Sequence, residues 1–470
     1  MFTDDYTRDI ALLDKTLRAN ESFDILPRTL QLADRRAQMY TIDGMAEDNV
    51  VNKIVETLFK LEDTVLAELK TTRDLADKTV PYGEVDLVDN EQDFAVWVLS
   101  GCVGLIVEGF AEGIVIDVRS YPARPVMEPE NDRVLRGSRE GFVETLTANT
   151  ALIRRHLRSP ALTMEAVRVG RSSRTDVVLC YMHGKADQKL VDKLHSKLQT
   201  VGINTLTMGM ESLTECLTRK QWWNPFPRAR YTERPDTAAA CVAEGQIILL
   251  MDNSPAAMIL PTGIFDFMQD TNDYCFLPVT GVYLRWLRLI VTILMTVLTP
   301  LWMMAVKYND RLPDFLNFLA LEETPTIPVF AQLLVIELVL AALRMASLNT
   351  PSALIGSFGI VGALLLGEVA VISELLIPET VLMMGFVALG NFAQPSHELG
   401  YALTFVRMLT LILVWLFSFW GFVAGILIML LLISITKTVS GTSYWYPLVP
   451  FNGRALGRLF FRVPIKHNNS

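Results

Sequence analysis

The sequence predicts an α/β soluble N-terminal region of two subdomains with mixed sheets, followed by an α-helical multi-pass membrane domain. Two observations support this fold class. Charged residues are interspersed with apolar ones up to about residue 274, whereas long apolar stretches dominate residues 284–435. The N-terminal part alternates short β-branched segments with amphipathic ones. Several apolar stretches of the second part are long enough to cross a bilayer, which takes roughly 20 residues per crossing.

Composition shifts divide the chain into four parts. A proline-rich link separates a first α/β subdomain at 1–121 from a second at 130–280. Residues 284–436 form the transmembrane domain, and residues 437–470 form a basic tail. The N-terminal segment lacks the basic and apolar stretches of a secretory signal. We therefore expect the N-terminal region and the tail to be cytosolic.

The first subdomain is expected to combine one long helical segment with several strands. A strand is predicted at 36–42 and a helix within 46–70. Three closely spaced strands are predicted at 94–101, 102–109 and 113–120, because alternating β-branched residues are separated there by glycine-containing turns. This pattern favours a hairpin or meander.

The second subdomain shows the same alternation of strand and helix signals. Its predicted elements are a helix from Ser138, strands at 162–169 and 176–182, helices at 186–199 and 210–219, a helix led by Pro235, and two strands within 245–262. Proline is well suited to the first position of a helix, where its missing N–H has no partner to lose. Strands alternating with helices predict a mixed sheet covered by helices.

Full membrane spans are predicted at 287–306, 327–343, 353–377 and 402–435. The last is either one very long span or two short ones hinged near Gly421 and Gly425. The apolar segment 381–392 is short for a crossing, which favours a re-entrant or broken helix.

The distribution of basic residues sets the expected number of crossings. Arg285 and Arg288 precede the first span, Arg344 follows the second, and further basic residues close the chain. Since basic residues favour the cytoplasmic side, placing all of them there requires an even number of crossings. Four full spans satisfy that condition.

No motif in the chain indicates catalysis. The sequence lacks a Walker loop, a dinucleotide-binding glycine pattern after a strand, an HExxH zinc motif and a GxSxG nucleophile elbow. Its histidines are scattered along the chain, and its cysteines are widely spaced with no CxxC pair. We therefore expect a non-enzyme with no catalytic, cofactor-binding or metal-ligating residues. The net charge of −9 argues against a nucleic-acid partner.

Three acidic residues within or near the predicted spans are candidate functional groups: Glu337, Glu368 and Glu374. An acidic side chain at the centre of a membrane helix costs about 2.5–3.5 kcal/mol on insertion scales, so it usually faces a bundle interior or water. One interpretation pairs each acid with a neighbour such as Arg344 or Arg407, or places it near an interface. The other has one or more of them line a hydrated ion path, with Glu368 as first choice.

Small residues in the predicted third span form a candidate packing face. They are Gly356, Gly359, Ala363 and Gly367. Gly359, Ala363 and Gly367 recur at every fourth position, a spacing that allows membrane helices to approach closely. Such a face serves packing within one subunit or forms an oligomer seam.

Six segments together resemble the GerA family of spore germination proteins. They are RSYPARP, ENDRVLRGSREGFVETLTANTALIRRHLR, VGRSSRTDVVLCYM, WWNPFPRARYTERPDTAAACVAEGQIILLMDNSPAAMILP, SFGIVGALLLGEV and PSHELGYALTFVR. The combination of RGSREGFVETLTANTALIRRHLR with YTERPD is the most specific. The RSYPARP and WWNPFP stretches are similar to the stage V sporulation protein AF branch of that family.

The resemblance implies a subunit of the spore inner membrane that works with other germination membrane subunits. It implies a two-part cytosolic N-terminal region, a homo-oligomeric ring in lipid and a channel that releases ions during nutrient-triggered germination. The alternative is a non-conducting scaffold that anchors germination receptor complexes. A secondary transporter is disfavoured because the membrane region shows no internal sequence repeat.

Overall fold

The computed structural model describes residues 2, 5–80, 84–120, 137–206, 208–218, 221–274, 276–309, 321, 325–349 and 370–461. Its packing divides the chain into two units. The sheet unit comprises Met1–Lys220, Ala229–Thr262 and Thr438–Gly441; the helical unit comprises Gln221–Arg228, Gly263–Lys437 and Thr442–Ser470. Each unit thus includes one short segment whose sequence neighbours belong to the other. The four predicted parts, with boundaries at 121, 130, 280, 284 and 436, remain predictions.

The first sheet of the sheet unit has five strands in the order β1-β2-β4-β5-β3. They are Ile25–Leu32 (β1), Arg35–Ile42 (β2), Val85–Val88 (β3), Val103–Val107 (β4) and Gly113–Ile116 (β5). The accompanying helices are Tyr6–Leu17 (α1), Asp48–Phe59 (α2), Asp63–Glu68 (α3), Thr72–Thr79 (α4) and Glu91–Leu99 (α5). Apolar residues of α2 to α4 pack on one face of the sheet, and those of α1 and α5 pack on the other.

The second sheet has five strands in the order β6-β7-β9-β10-β8. They are Leu162–Val169 (β6), Thr175–Met182 (β7), Arg230–Thr232 (β8), Ile247–Met251 (β9) and Ala257–Leu260 (β10). Its helices are Leu146–His156 (α6), Gln188–Thr200 (α7), Gly209–Leu217 (α8) and Pro235–Ala243 (α9). Apolar residues of α7 and α8 pack on one face, and those of α6 and α9 pack on the other.

The predicted fold class is confirmed, with one correction to the sheets. Every described strand pair is antiparallel, so the sheets are not mixed. The reason lies in the long connections. Cys180 of β7 pairs with Ile248 of β9, so the helical connection returns to the end of the sheet that it left. Parallel neighbours would require it to return to the opposite end.

The two sheets are structural repeats of one another. Both have the same strand order. Helix α5 and strands β4 and β5 correspond to α9, β9 and β10, which lie 144 positions later in the chain. Gly101 and Gly245 are separated by the same 144 positions. Both glycines have a φ of 97°, in the left-handed region that favours glycine, and each ends its helix before a buried strand. The amide of Gly101 donates to Val98 O, and that of Gly245 donates to Val242 O.

The repeats fill the space between helix and sheet in opposite ways. In the first, Phe94 of α5 lies over two strand glycines: a Cβ on Gly104 would lie 2.5 Å from the Phe94 ring, and one on Gly113 would lie 2.6 Å from it. In the second, the counterpart of Phe94 is Ala238, and that of Gly104 is Ile248. A large residue on the helix in one repeat therefore corresponds to a large residue on the strand in the other.

We expect Phe94→Ala to lower the free energy of unfolding by about 3–5 kcal/mol, because it leaves a cavity between α5 and the sheet. Adding Gly104→Ile, the counterpart pairing of the second repeat, is expected to regain about half of that loss. Thermal unfolding of the full chain in detergent measures both effects. The matched control is Gly202→Ala, since no atom lies within 4 Å of its added Cβ. If Gly104→Ile lowered stability further, the two repeats would not share this packing.

Two predicted elements of the sheet unit differ from the structure. The strand predicted at 94–101 is helix α5, because Asn90 caps its first turn by accepting from the Asp93 amide and Phe94, Ala95, Val98 and Leu99 are buried at helical spacing. The helix predicted from Ser138 begins at Leu146. The preceding chain is held without helix by Asn149, which bonds both the amide and the carbonyl of Val143.

The helical unit contains long apolar helices. Its elements are short 3₁₀ turns at Ile264–Met268 and Thr271–Tyr274, and helices Pro278–Lys307 (α10), Val329–Asn349 (α11), Ala370–Ile372 (α12), Pro378–Phe392 (α13), His397–Phe417 (α14), Phe419–Ile435 (α15) and Gly453–Phe460 (α16). Among the described residues, three helices (α10, α11 and α14) are long and apolar enough to cross a membrane. They cover the first two predicted spans and the start of the last.

The remaining span predictions have different outcomes. Most of the predicted span 353–377 lies outside the described residues, so the count of four stays a prediction. The short segment predicted at 381–392 lies in α13, a helix of 15 residues. At roughly 1.5 Å of rise per residue, α13 is too short for the hydrocarbon core of a bilayer.

The last apolar region, predicted as one very long span or two short ones, consists of two helices. The chain turns at Ser418, whose φ of 55° ends α14, and not at Gly421 or Gly425. These glycines lie instead where α15 packs antiparallel against α14: a Cβ on Gly421 would overlap the Leu413 carbonyl, and one on Gly425 would lie 2.6 Å from Thr410. Their function in the fold is close approach between helices.

Candidate functional site

Helix α14 directs a charged residue into the helical unit. The helix begins after Ser396, whose side chain accepts from the Leu399 amide. Its buried residues recur every three or four positions, which is the pattern of one helix face, and include Leu403, Arg407 and Val414. Arg407 lies on this buried, otherwise apolar face, so its side chain enters the interior of the helical unit.

Arg407 forms a two-pronged ion pair with Glu337 of α11. Its Nε donates to Glu337 Oε2 at 3.2 Å, and its Nη2 donates to Oε1 at 2.6 Å. The Arg407 side chain is 0% exposed and that of Glu337 is 4% exposed. Paired donation by a planar guanidinium to a carboxylate gives both strength and a fixed geometry.

The guanidinium also contacts a third helix. Arg407 Nη1 donates to the Met295 carbonyl of α10 at 2.7 Å, and Nη2 lies 3.4 Å from Thr404 Oγ1. One side chain thus connects α10, α11 and α14. A buried ion pair is tolerated only where further hydrogen bonds satisfy its remaining donors, and these contacts meet that requirement.

Uncharged polar side chains extend this polar region along α10. Gln394, in the turn between α13 and α14, donates to Thr292 Oγ1 and lies 3.6 Å from the sulfur of Met295. Four side-chain oxygens of α10, α13 and the turn after α13 are buried without a hydrogen-bond partner among the described residues: Thr299 Oγ1, Thr380 Oγ1, Asn391 Oδ1 and Gln394 Oε1. Buried polar groups are nearly always satisfied by protein or by ordered water. These oxygens therefore indicate positions where ordered water can bind.

A second polar contact orients the short helix α13. Gln332 of α11 is buried, and its side-chain carbonyl accepts from the Ile377 amide at 2.9 Å, immediately before α13 begins. Its side-chain amide donates to Ile327 O at 2.8 Å. We give the name polar seam to nine of the buried polar residues of α10, α11, α13, α14 and the turn before α14. They are Thr292, Thr299, Gln332, Glu337, Thr380, Asn391, Gln394, Thr404 and Arg407.

The structure places the three predicted acids differently. Glu337 belongs to the polar seam and is paired with Arg407, as one of the two interpretations holds. Glu374 is exposed, has a φ of 56° and lies between α12 and α13. Glu368 lies outside the described residues, as does the predicted packing face of Gly356, Gly359, Ala363 and Gly367. Their roles remain predictions.

Sequence reasoning did not single out the uncharged members of the polar seam. Threonines at 292, 296 and 299 recur at helical spacing along α10, and all three are buried. This row of threonines could have predicted the buried face of α10 from the sequence, because a polar face on an apolar helix points away from lipid. Within the described residues, no group of three His, Cys, Asp or Glu side chains is arranged to hold a metal ion.

Comparison with known proteins identifies the family. A family profile described as Bacillus/Clostridium GerA spore germination protein matches residues 12–470. The chain belongs to the GerA family. This match covers both units and confirms the resemblance inferred from the six sequence segments.

Several members of the GerA family are similar along most of their length. Stage V sporulation protein AF of Bacillus subtilis (strain 168) is 35% identical over 442 residues, which cover 94% of this chain and 89% of that protein. Spore germination protein A1 of the same organism is 24% identical, over 98% of this chain and 95% of its own. The higher identity to the stage V protein agrees with the similarity of the RSYPARP and WWNPFP segments.

One solved structure is also similar. It is the N-terminal domain of the A subunit of the Bacillus megaterium spore germinant receptor GerK3, at 25% sequence identity and a TM-score of 0.42. The match covers 55% of this chain and 95% of that domain.

Proposed function

We propose that this GerA-family protein is a membrane subunit of a spore germination complex in the spore inner membrane, with its N-terminal region and C-terminal tail in the cytosol. Several copies form a ring together with other germination subunits, and their helices form or contribute to an ion-release channel during nutrient-triggered germination. Membership in a family of spore germination proteins supports the germination role.

The observation that carries the channel proposal is the polar seam. An apolar helix bundle in lipid gains nothing from buried oxygens that lack hydrogen-bond partners, because each costs free energy unless it is solvated. Thr299, Thr380, Asn391 and Gln394 present four such oxygens. Oxygen atoms of this kind are suitable ligands for water and for monovalent cations during passage.

One feature favours the alternative, a non-conducting scaffold. The carboxylate of Glu337 is neutralised by Arg407, so it offers no free negative charge to a cation. In that arrangement the ion pair joins three helices and holds the membrane part in one shape. A conducting ring would then rely on other acids, and Glu368 and Glu374 are the proposed ones.

The test is cation conductance of the purified full chain in planar bilayers, together with its oligomeric state in detergent. We expect a closed ring with a central opening, and a potassium conductance that falls several-fold in Glu368→Gln, because a ring of carboxylates concentrates cations at a pore. Glu56→Gln is the matched control, since Glu56 is an exposed acid of the sheet unit.

The outcomes separate the two functions. A protein that is monomeric and non-conducting, yet supports germination at normal level, would favour the scaffold. Conductance unchanged by both Glu368→Gln and Glu374→Gln would reject these residues as part of the ion path.

A further inference from the structure

The C-terminal helix α16 is amphipathic and has no buried residue. It begins after Asn452, whose side chain accepts from the Ala455 amide at 3.1 Å. At the helical angle of about 100° per residue, Leu456, Leu459 and Phe460 share one side, and Arg454 and Arg458 share the opposite side. A short helix of this pattern is suited to lying in the plane of a membrane surface.

Contacts within the helical unit hold α16 beside the start of α10. Arg285 Nη1 donates to the carbonyl oxygens of Arg458 at 2.8 Å and Leu459 at 3.4 Å. A cation at these last carbonyls stabilises the C-terminal end of the helix. In addition, the ring of Phe460 stacks on that of Trp286, with centroids 5.2 Å apart.

Arg285 is itself fixed in place. Its Nε donates at 3.3 Å to Asp273, a fully buried carboxylate that also accepts two 3.0 Å bonds from Arg288. Arg285, Trp286 and Arg288 lie where α10 enters its apolar stretch, and such basic and aromatic residues mark the headgroup level of a membrane. Helix α16 is therefore anchored at that level.

The exposed groups around α16 are of two kinds, apolar side chains and basic side chains. Val449, Phe451 and Phe461 flank it and are 59%, 75% and 56% exposed. Neither Arg454 nor Arg458 has an acidic partner among the described residues. Apolar side chains next to free guanidinium groups match a phospholipid surface, where acyl chains and phosphates lie within a few ångströms of each other.

We propose that α16 is a binding site for anionic phospholipid of the bilayer that holds α10. Its apolar side, with Phe451 and Phe461, enters the acyl boundary, and Arg454 and Arg458 bind the lipid phosphates. The site is independent of conduction: it fixes the level of the helical unit in the membrane and makes its stability depend on lipid charge.

Native mass spectrometry of the full chain, taken from nanodiscs of equimolar phosphatidylglycerol and phosphatidylcholine, tests the site. We expect enrichment of phosphatidylglycerol on the protein, and a loss of about tenfold in that preference for the double variant Arg454→Gln, Arg458→Gln. The matched control, Arg8→Gln, Arg28→Gln, removes two exposed charges from the sheet unit and should retain the full preference.

Three results would overturn the site: equal retention of both lipids by the native chain, an unchanged preference in the double variant, or a change in oligomer size with no change in bound lipid. The last would make α16 an interface between copies. A further experiment tests whether the arginines bind free phosphate and not a lipid headgroup: inorganic phosphate is added to the chain in nanodiscs of phosphatidylcholine alone. Protection of the native chain from thermal unfolding by free phosphate, equal to that by phosphatidylglycerol, would assign the arginines to a soluble anion.

Discussion

Replacing Arg407 with methionine is expected to lower the free energy of unfolding by about 3–5 kcal/mol, because it leaves the carboxylate of Glu337 buried and unpaired. The Met295 carbonyl loses its donor in the same change. Thermal unfolding in detergent and the level of protein in membranes measure this loss. Arg344→Met is the matched control: Arg344 lies over the ring of Tyr401 and is only partly buried, so we expect a loss of about 1 kcal/mol or less.

A double variant separates stability from function at the same site. When Glu337→Met accompanies Arg407→Met, no unpaired charge remains, and most of the lost stability should return. Normal germination of spores that carry this stable variant would show that the ion pair serves only to hold α10, α11 and α14 together. If the variant is stable but its spores fail to germinate, the ion pair takes part in gating or conduction. If the double variant were no more stable than Arg407→Met, the coupling between the two residues would be refuted.

The sequence was sufficient for the division into a sheet-rich and an apolar part and for many of the elements, but β1, β3, β8 and α4 were not predicted. Periodicity of two and of 3.6 residues separates most strands and helices, and long apolar runs leave no alternative to lipid. It failed at 94–101, where the apolar residues are as consistent with a buried strand as with a buried helix. Asn90, an N-cap residue followed by two acidic residues in the first turn, was the signal that distinguishes them.

The partner of Glu337 illustrates what a single sequence does not determine. Both Arg344 and Arg407 were reasonable partners, and Arg344 is much nearer in sequence. The choice depends on how α11 and α14 are rotated about their axes, which is fixed by packing across 70 residues of chain. The same holds for Gln394, whose position follows from the turn between α13 and α14. Tertiary packing also conceals the repeat of the two sheets, because Phe94 and Ile248 fill equivalent space from opposite sides.

Gly421→Ala is expected to be strongly destabilising, although it adds only one methyl group. The added Cβ would overlap the Leu413 carbonyl and lie 2.8 Å from the Val414 nitrogen. Both are backbone atoms of α14, and they cannot move aside as a flexible side chain can. The two helices must separate along their length, so we expect a loss of about 3 kcal/mol, at the upper end of the range for overpacking.

The matched control for Gly421 is Gly385→Ala in α13. No atom lies within 4 Å of a Cβ on Gly385, which is exposed. Alanine is expected there to raise stability by about 0.5–1 kcal/mol, because glycine loses more backbone entropy in a helix. Thermal unfolding of both variants in detergent measures the contrast. Equal stability of the two variants would mean that α14 and α15 do not form the close hairpin around Ser418, and that the last apolar region crosses as a single helix.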